Sequence, residues 1–216
     1  MKKTYIPIID GLRALAVIIV LLFHLKIPGF NGGFIGVDIF FVISGYLITS
    51  IYFYEKDKNN KFDFFSYFEK RFFRLFPSLV FVILVSLLFG YILLSPFDLI
   101  EISKSAIYSI LFLSNIYFFL DSSYWANLNE YKFFIHTWSL GIEMTFYILM
   151  PLFLFLLYRF NNKFKILICL LTILLSIFLI VFVINKGPTI DTVKFFGLFY
   201  GKEVSDVLFY LIPFRF

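Results

Sequence analysis

Apolar runs recur along this chain at 9–27, 36–54, 77–95, 138–158 and 165–185. Each is near the roughly 20 residues that a helix needs to cross about 30 Å of hydrocarbon. A further run, 103–120, contains Ser105, Ser109, Ser114 and Asn115 and starts beside Glu101 and Lys104. It is expected to be re-entrant or to lie on the surface rather than to span. The pattern predicts an all-α fold, a polytopic transmembrane helical bundle. The stretch 62–76, FDFFSYFEKRFFRLF, ends just before Pro77, and its aromatics around charged residues predict an interfacial helix. MKK ahead of the first run imitates a secretory signal. Asp10 and Arg13 interrupt that run, however, and no small-x-small cleavage site follows His24, so a retained span is expected.

The first run, IDGLRALAVIIVLLFHL, carries Asp10, Arg13 and His24 through otherwise lipid-like sequence. On a helix, the step from Arg13 to His24 returns to within about 20° of one face and climbs roughly 16 Å. Asp10 falls on the same stripe. A guanidinium and an imidazole on one face suit a path through the membrane better than lipid. The second run, GVDIFFVISGYLITS, places Asp38 near its start, where the carboxylate can orient the His24 imidazole or sit in water. Ser44 and Gly45 suit close helix packing. In HTWSLGIEMTFY, a helix would bring His136, Ser139 and Glu143 onto one polar stripe, with Glu143 about two turns into a span. A membrane-embedded glutamate is a functional candidate, although a packing role for Glu143 and a water-exposed boundary position for His136 remain open. Arg71 and Arg74 sit on neighbouring positions of one helical face. They can close on phosphate with forked donors or serve topology and lipid headgroups.

Composition strengthens the membrane assignment: 61% of residues are hydrophobic and 15% charged, against about 45–50% and 25% in soluble domains. The formal charge of +5 is dispersed between apolar runs, which suits membrane anchoring and excludes nucleic acid as a partner. The one cysteine, Cys169, lies in an apolar run, so neither a disulfide framework nor a metal site is expected. Lys56, Lys58, Lys61, Lys70, Arg71 and Arg74 crowd the 55–75 loop, whereas 28–36 holds no basic residue. The positive-inside rule therefore puts the N-terminus and 55–75 in the cytoplasm and 28–36 outside. Arg159, Lys163 and Lys165 place the 159–165 loop inside, and 121–137, with Lys132 alone, is expected outside. Lys186, Lys194 and Lys202 in the presumed outer tail run against that rule.

Four stretches in this order, DGLRALAVIIVLLFH with its Arg-x10-His spacing, GVDIFFVISGYLI, Arg71-x-x-Arg74 and HTWSLGIEMTFY, resemble the acyltransferase family 3 membrane proteins. The resemblance covers about residues 5–216. It is strongest to O-acetyltransferases of bacterial surface polysaccharides, some of which add a C-terminal extracytoplasmic SGNH-hydrolase-like domain. It implies a membrane-bound O-acyltransferase of the bacterial inner membrane that takes an acyl group from cytoplasmic acetyl-CoA, the donor substrate. The acceptor would be a sugar hydroxyl of lipopolysaccharide O-antigen or another surface or cell-wall glycan. Residues 1–216 would be the N-terminal part of the transmembrane domain, with about five to seven membrane helices. The chain stops at FYLIPFRF, where the family continues, so it looks C-terminally truncated. The same resemblance makes His24 catalytic with Arg13 as its motif partner, assigns Arg71 and Arg74 to the donor, and matches Glu143 to the family's Ser-Leu-x-x-Glu motif. With these, Asp38 is expected to join the catalytic set, Arg13 the donor contacts, and Asp10, His136, Trp138 and Ser139 the acceptor contacts. General-base and covalent acyl-histidine routes are both allowed. A path-lining transporter or flippase, or an inactive fragment, would carry the same polar stripe.

Overall fold

The computed structural model describes residues 7–59, 61–120 and 133–184. Lys132, Lys186, Lys194 and Lys202 lie outside the described residues, as does most of the 121–137 loop. Among the described residues, all regular structure is helical: α1 (Pro7–His24), α2 (Ile35–Asn59), α3 (Phe64–Leu93), α4 (Pro96–Ile110), α5 (Ser114–Leu120), a 3₁₀ turn (Ile135–Thr137), α6 (Trp138–Tyr158) and α7 (Asn162–Ile184). Five of these helices, α1, α2, α3, α6 and α7, are long and apolar enough to cross a membrane. They coincide with the five apolar runs.

Local chemistry sets where the helices begin and end. Asp63 caps α3 by accepting from the Ser66 N–H at 3.1 Å, and Asn161 caps α7 by accepting from Phe164 N–H at 3.0 Å. At α4, Ser95 Oγ accepts from Asp98 N–H at 3.3 Å while its own proton goes to Asp98 Oδ2 at 2.7 Å. Pro96 takes the first helical position, where no N–H is needed. The C-terminus of α1 closes with a Schellman pair: Lys26 N–H donates to Phe23 O at 3.0 Å, and Ile27 N–H to Leu22 O at 3.1 Å. Lys26 holds the left-handed conformation this requires, with φ 54°.

Two expectations change. The aromatic stretch before Pro77 is no separate element, because α3 runs unbroken through Pro77 for 30 residues, or about 45 Å. The run 103–120 is two helices, α4 and α5, parted at 111–113. Phe112 takes φ 56° there, and Leu113 N–H closes onto Tyr108 O at 2.8 Å. At 15 and 7 residues, neither reaches across about 30 Å of hydrocarbon alone.

The chain divides into two compact units, one from residues up to Glu69 with Phe146–Arg159, the other from Lys70–Thr145 with residues from Phe160 onward. In the first unit, α1 and α2 pack through small residues. Ala16 is fully buried. Cβ atoms added at Gly33 and Gly36 would lie 2.5 Å from Ile19 O and 2.6 Å from Ala16 O, so only glycine lets the two backbones approach this closely. Gly45 of α2 faces the ring of Phe146 in α6. Below them, Tyr52, Phe62 and Tyr67 form an aromatic ladder with centroids 4.8 and 5.3 Å apart. In the second unit, Phe72 stacks on Phe76 at 4.7 Å and meets Phe112 edge-on at 6.1 Å.

Candidate active site

The first unit carries Asp10, Arg13 and His24 on one uninterrupted helix, α1. Asp10 and His24 are exposed and Arg13 is half-buried. His24 occupies the last turn, where its Nδ1 lies 2.8 Å from Val20 O. A backbone carbonyl only accepts, so Nδ1 carries a proton, and in the neutral ring Nε2 is the basic nitrogen. The Phe23 ring meets the imidazole edge-on at 5.2 Å. The Val20 carbonyl of α1 itself is thus one group that orients the ring. Asp38 is half-buried in the first turn of α2, where the helix N-terminus favours a negative charge. Two residues earlier, Gly36 presses α2 against α1, which fixes the height of Asp38 relative to α1.

The Arg13 Nε–H is buried and meets no hydrogen-bond acceptor. A buried, unmet donor on a cation is costly, and an anionic or carbonyl group beside it would remove that cost.

In the second unit, Arg71 and Arg74 share α3, Arg71 half-buried and Arg74 exposed. The sequence from His136 to Glu143 is not one helix. His136 sits in the 3₁₀ turn and is exposed, whereas Trp138, buried, opens α6. The Ser139 hydroxyl donates to His136 O at 3.1 Å, bonding the start of α6 back to the turn. Ser139 and Glu143 keep helical i,i+4 spacing on α6, both half-buried. Glu143 lies about 7–8 Å along the axis from the first residue of α6.

Asp10, Arg13, His24 and Asp38 therefore belong to one unit, and Arg71, Arg74, His136, Trp138, Ser139 and Glu143 to the other. Among the described residues no cluster of three or more His, Cys, Asp and Glu could hold a metal ion. The sequence reading missed Thr137, whose hydroxyl and carbonyl are both engaged by serines from α4 and α5. Those serines were visible only as polar interruptions of an apolar run.

Five long apolar helices, with charged and imidazole side chains among them, define a polytopic membrane protein. The family model for an acyltransferase domain matches residues 6–213, and the chain belongs to the acyltransferase 3 family. O-acetyltransferase OatA of Staphylococcus aureus (strain NCTC 8325 / PS 47) is 41% identical over 160 residues, covering 74% of this chain and 26% of the relative. Peptidoglycan O-acetyltransferase OatA of Listeria monocytogenes serovar 1/2a is 39% identical over 168 residues, covering 77% and 27%. A putative O-acetyltransferase of S. aureus strain COL is 37% identical over 166 residues, covering 76% and 27%. The chain spans about a quarter of the length of these relatives. No solved structure gives a significant match.

Proposed function

We propose that this chain is part of a membrane O-acetyltransferase that moves an acetyl group from cytoplasmic acetyl-CoA to a sugar hydroxyl of a cell-wall glycan. The observation that carries the reading is the His24 imidazole, fixed by the Val20 carbonyl with Nε2 as its basic nitrogen. Family membership supports acyl transfer, and the name of the Listeria relative, a peptidoglycan O-acetyltransferase, favours peptidoglycan over lipopolysaccharide as acceptor.

In the proposed reaction, Nε2 of His24 takes the proton of the sugar hydroxyl as its oxygen attacks the thioester carbonyl. The tetrahedral intermediate collapses by breaking the carbon–sulfur bond, and the departing thiolate takes the proton back from the imidazolium. Asp38 is assigned to stabilise that imidazolium, and Glu143 is kept as a catalytic candidate of the other unit. Arg71 and Arg74 bind donor phosphates through charge-assisted contacts. Arg13 supports this assignment with its buried, unmet Nε–H; a donor oxygen would satisfy it. Asp10, His136, Trp138 and Ser139 fall to the acceptor. The N-terminus and the basic 55–75 and 159–165 loops are assigned to the cytoplasmic side of a bacterial inner membrane.

The test is the complete reading frame carrying this chain, in membrane vesicles with acetyl-CoA and glycan. His24→Ala and His24→Gln should both abolish transfer, because glutamine cannot act as a base. Transfer surviving His24→Ala would end the catalytic assignment. Activity retained by His24→Gln alone would make the stripe a path rather than a catalyst.

A further inference from the structure

We propose that Ser109 and Ser114, with Thr137 as their target, hold the 3₁₀ turn in register and so fix where α6, which carries Ser139 and Glu143, begins. They are positioning residues, not catalytic ones. Ser109 is 1% exposed, Ser114 0% and Asn115 3%, in a part of the molecule where apolar side chains would serve packing better. The hydroxyls of Ser109 and Ser114 both reach Thr137. Ser109 Oγ lies 2.7 Å from Thr137 Oγ1, and the Ser114 hydroxyl donates to Thr137 O at 2.8 Å.

Three short contacts, Ser109 Oγ to Ser105 O at 2.8 Å, Ser109 Oγ to Thr137 Oγ1 at 2.7 Å and Thr137 Oγ1 to Phe134 O at 2.6 Å, share the protons of two hydroxyls. Ser105 O lies inside α4 with its own helical N–H partner, and Phe134 O also accepts the Thr137 N–H at 3.0 Å. Either hydroxyl can therefore donate across the Ser109–Thr137 bond, and the linked hydroxyls polarise one another.

Close packing supports the same junction. A Cβ at Gly141 of α6 would lie 2.7 Å from Asn115 Oδ1 and 2.9 Å from Phe112 O. The first turn of α6 is therefore pressed against the α4–α5 corner, the corner made by the left-handed Phe112. Trp138 follows Thr137 directly and is buried at 6% exposure. Loosening the turn moves Trp138, Ser139 and Glu143 together. That transfer depends on this placement rests on the acyl-transfer reading above; the placement itself does not.

The experiment uses the complete reading frame with Trp125→Phe, so that in this segment Trp138 reports alone, and any tryptophans beyond Phe216 are likewise replaced by phenylalanine. Ser109→Ala and Thr137→Val should each increase acrylamide quenching of Trp138 and lower kcat per folded molecule by about ten-fold, with KM for acetyl-CoA within about two-fold. Because both remove the Ser109–Thr137 bond, the double variant should cost less than the two single effects added together. Thr137→Ser keeps the hydroxyl and should restore both readouts. Unchanged Trp138 quenching in the single variants overturns the proposal, as does a shift in quenching without loss of kcat, or Thr137→Ser behaving like Thr137→Val. Should Thr137→Val not yield monodisperse protein, Ser109→Ala and Ser114→Ala decide. If the wild-type protein transfers no acetyl group, the functional reading fails, and Trp138 quenching alone judges whether the serines hold the turn.

Discussion

Gly36→Ala is the sharpest structural test of the α1–α2 pair. The new Cβ would lie 2.6 Å from the Ala16 carbonyl oxygen and 2.6 Å from Val20 Cγ2, and ordinary contact begins at 3.4 Å. The two backbones must then separate by about 0.8 Å. A gap of that size forfeits roughly a quarter to a half of the dispersion energy of each contact it opens, and overpacking of this kind costs about 1–3 kcal/mol. Ala16 lies two turns before His24 on the same helix, so the strain displaces the imidazole as well. Misplacement by about 1 Å can reduce a transfer rate by about 10²-fold. Gly32→Ala is the matched control, because a Cβ there meets nothing within 4 Å. Thermal midpoints of detergent-solubilised protein and acetyl transfer at equal folded amount should both fall for Gly36→Ala and hold for Gly32→Ala. Adding Val20→Ala should not rescue it, since the Ala16 carbonyl cannot rotate away. Equal behaviour of the two glycine variants would show that the close approach does not govern this seam.

Arg71→Ala and Arg74→Ala should each weaken acetyl-CoA binding by about ten- to a hundred-fold; unchanged affinity with a lower membrane yield would assign both to topology. Lys26→Gly relieves a left-handed residue and should stabilise the protein by about 0.5–1 kcal/mol, read as a rise in thermal midpoint; a fall would mean that the lysine side chain outweighs its backbone strain. For orientation, single cysteines at Asn127 and Asn162 in a Cys169→Ser background are exposed to an impermeant thiol reagent on intact cells. Labelling at 127 and not at 162 is expected, and the reverse would show that 103–120 crosses the membrane.

The spans were legible because lipid imposes a simple rule: about 20 apolar residues in a helix satisfy every backbone group internally. Five apolar runs met it, and five helices resulted. The break inside 103–120 was legible as polarity but not as geometry, because the left-handed residue is Phe112 rather than the glycine that announces such a corner. The Asn-Gly-Gly sequence after Phe30 reads as a turn. Only the structure shows that Gly33 and Gly36 are a packing surface, since the partner, Ala16, lies in another helix. The candidate chemistry was partly legible. Spacing alone put Asp10, Arg13 and His24 on one helix. The proton position on His24 depends on a backbone carbonyl, and the bond from Ser109 to Thr137 joins residues 28 apart, so neither leaves a mark in local pattern.

The glycine seam also bears on how the protein is made. Its partners, Ala16 and Gly36, lie 20 residues apart, and α1 and α2 leave the ribosome before α6. Contacts between nearby residues close faster than contacts between distant ones, and N-terminal parts fold first during synthesis. The hairpin can therefore assemble, with His24 already oriented by Val20, before α6 has been translated. A substitution at Gly36 would strike while little else exists to hold the pair together. Its first symptom in cells would be nascent chains lost to quality control, ahead of any slow enzyme.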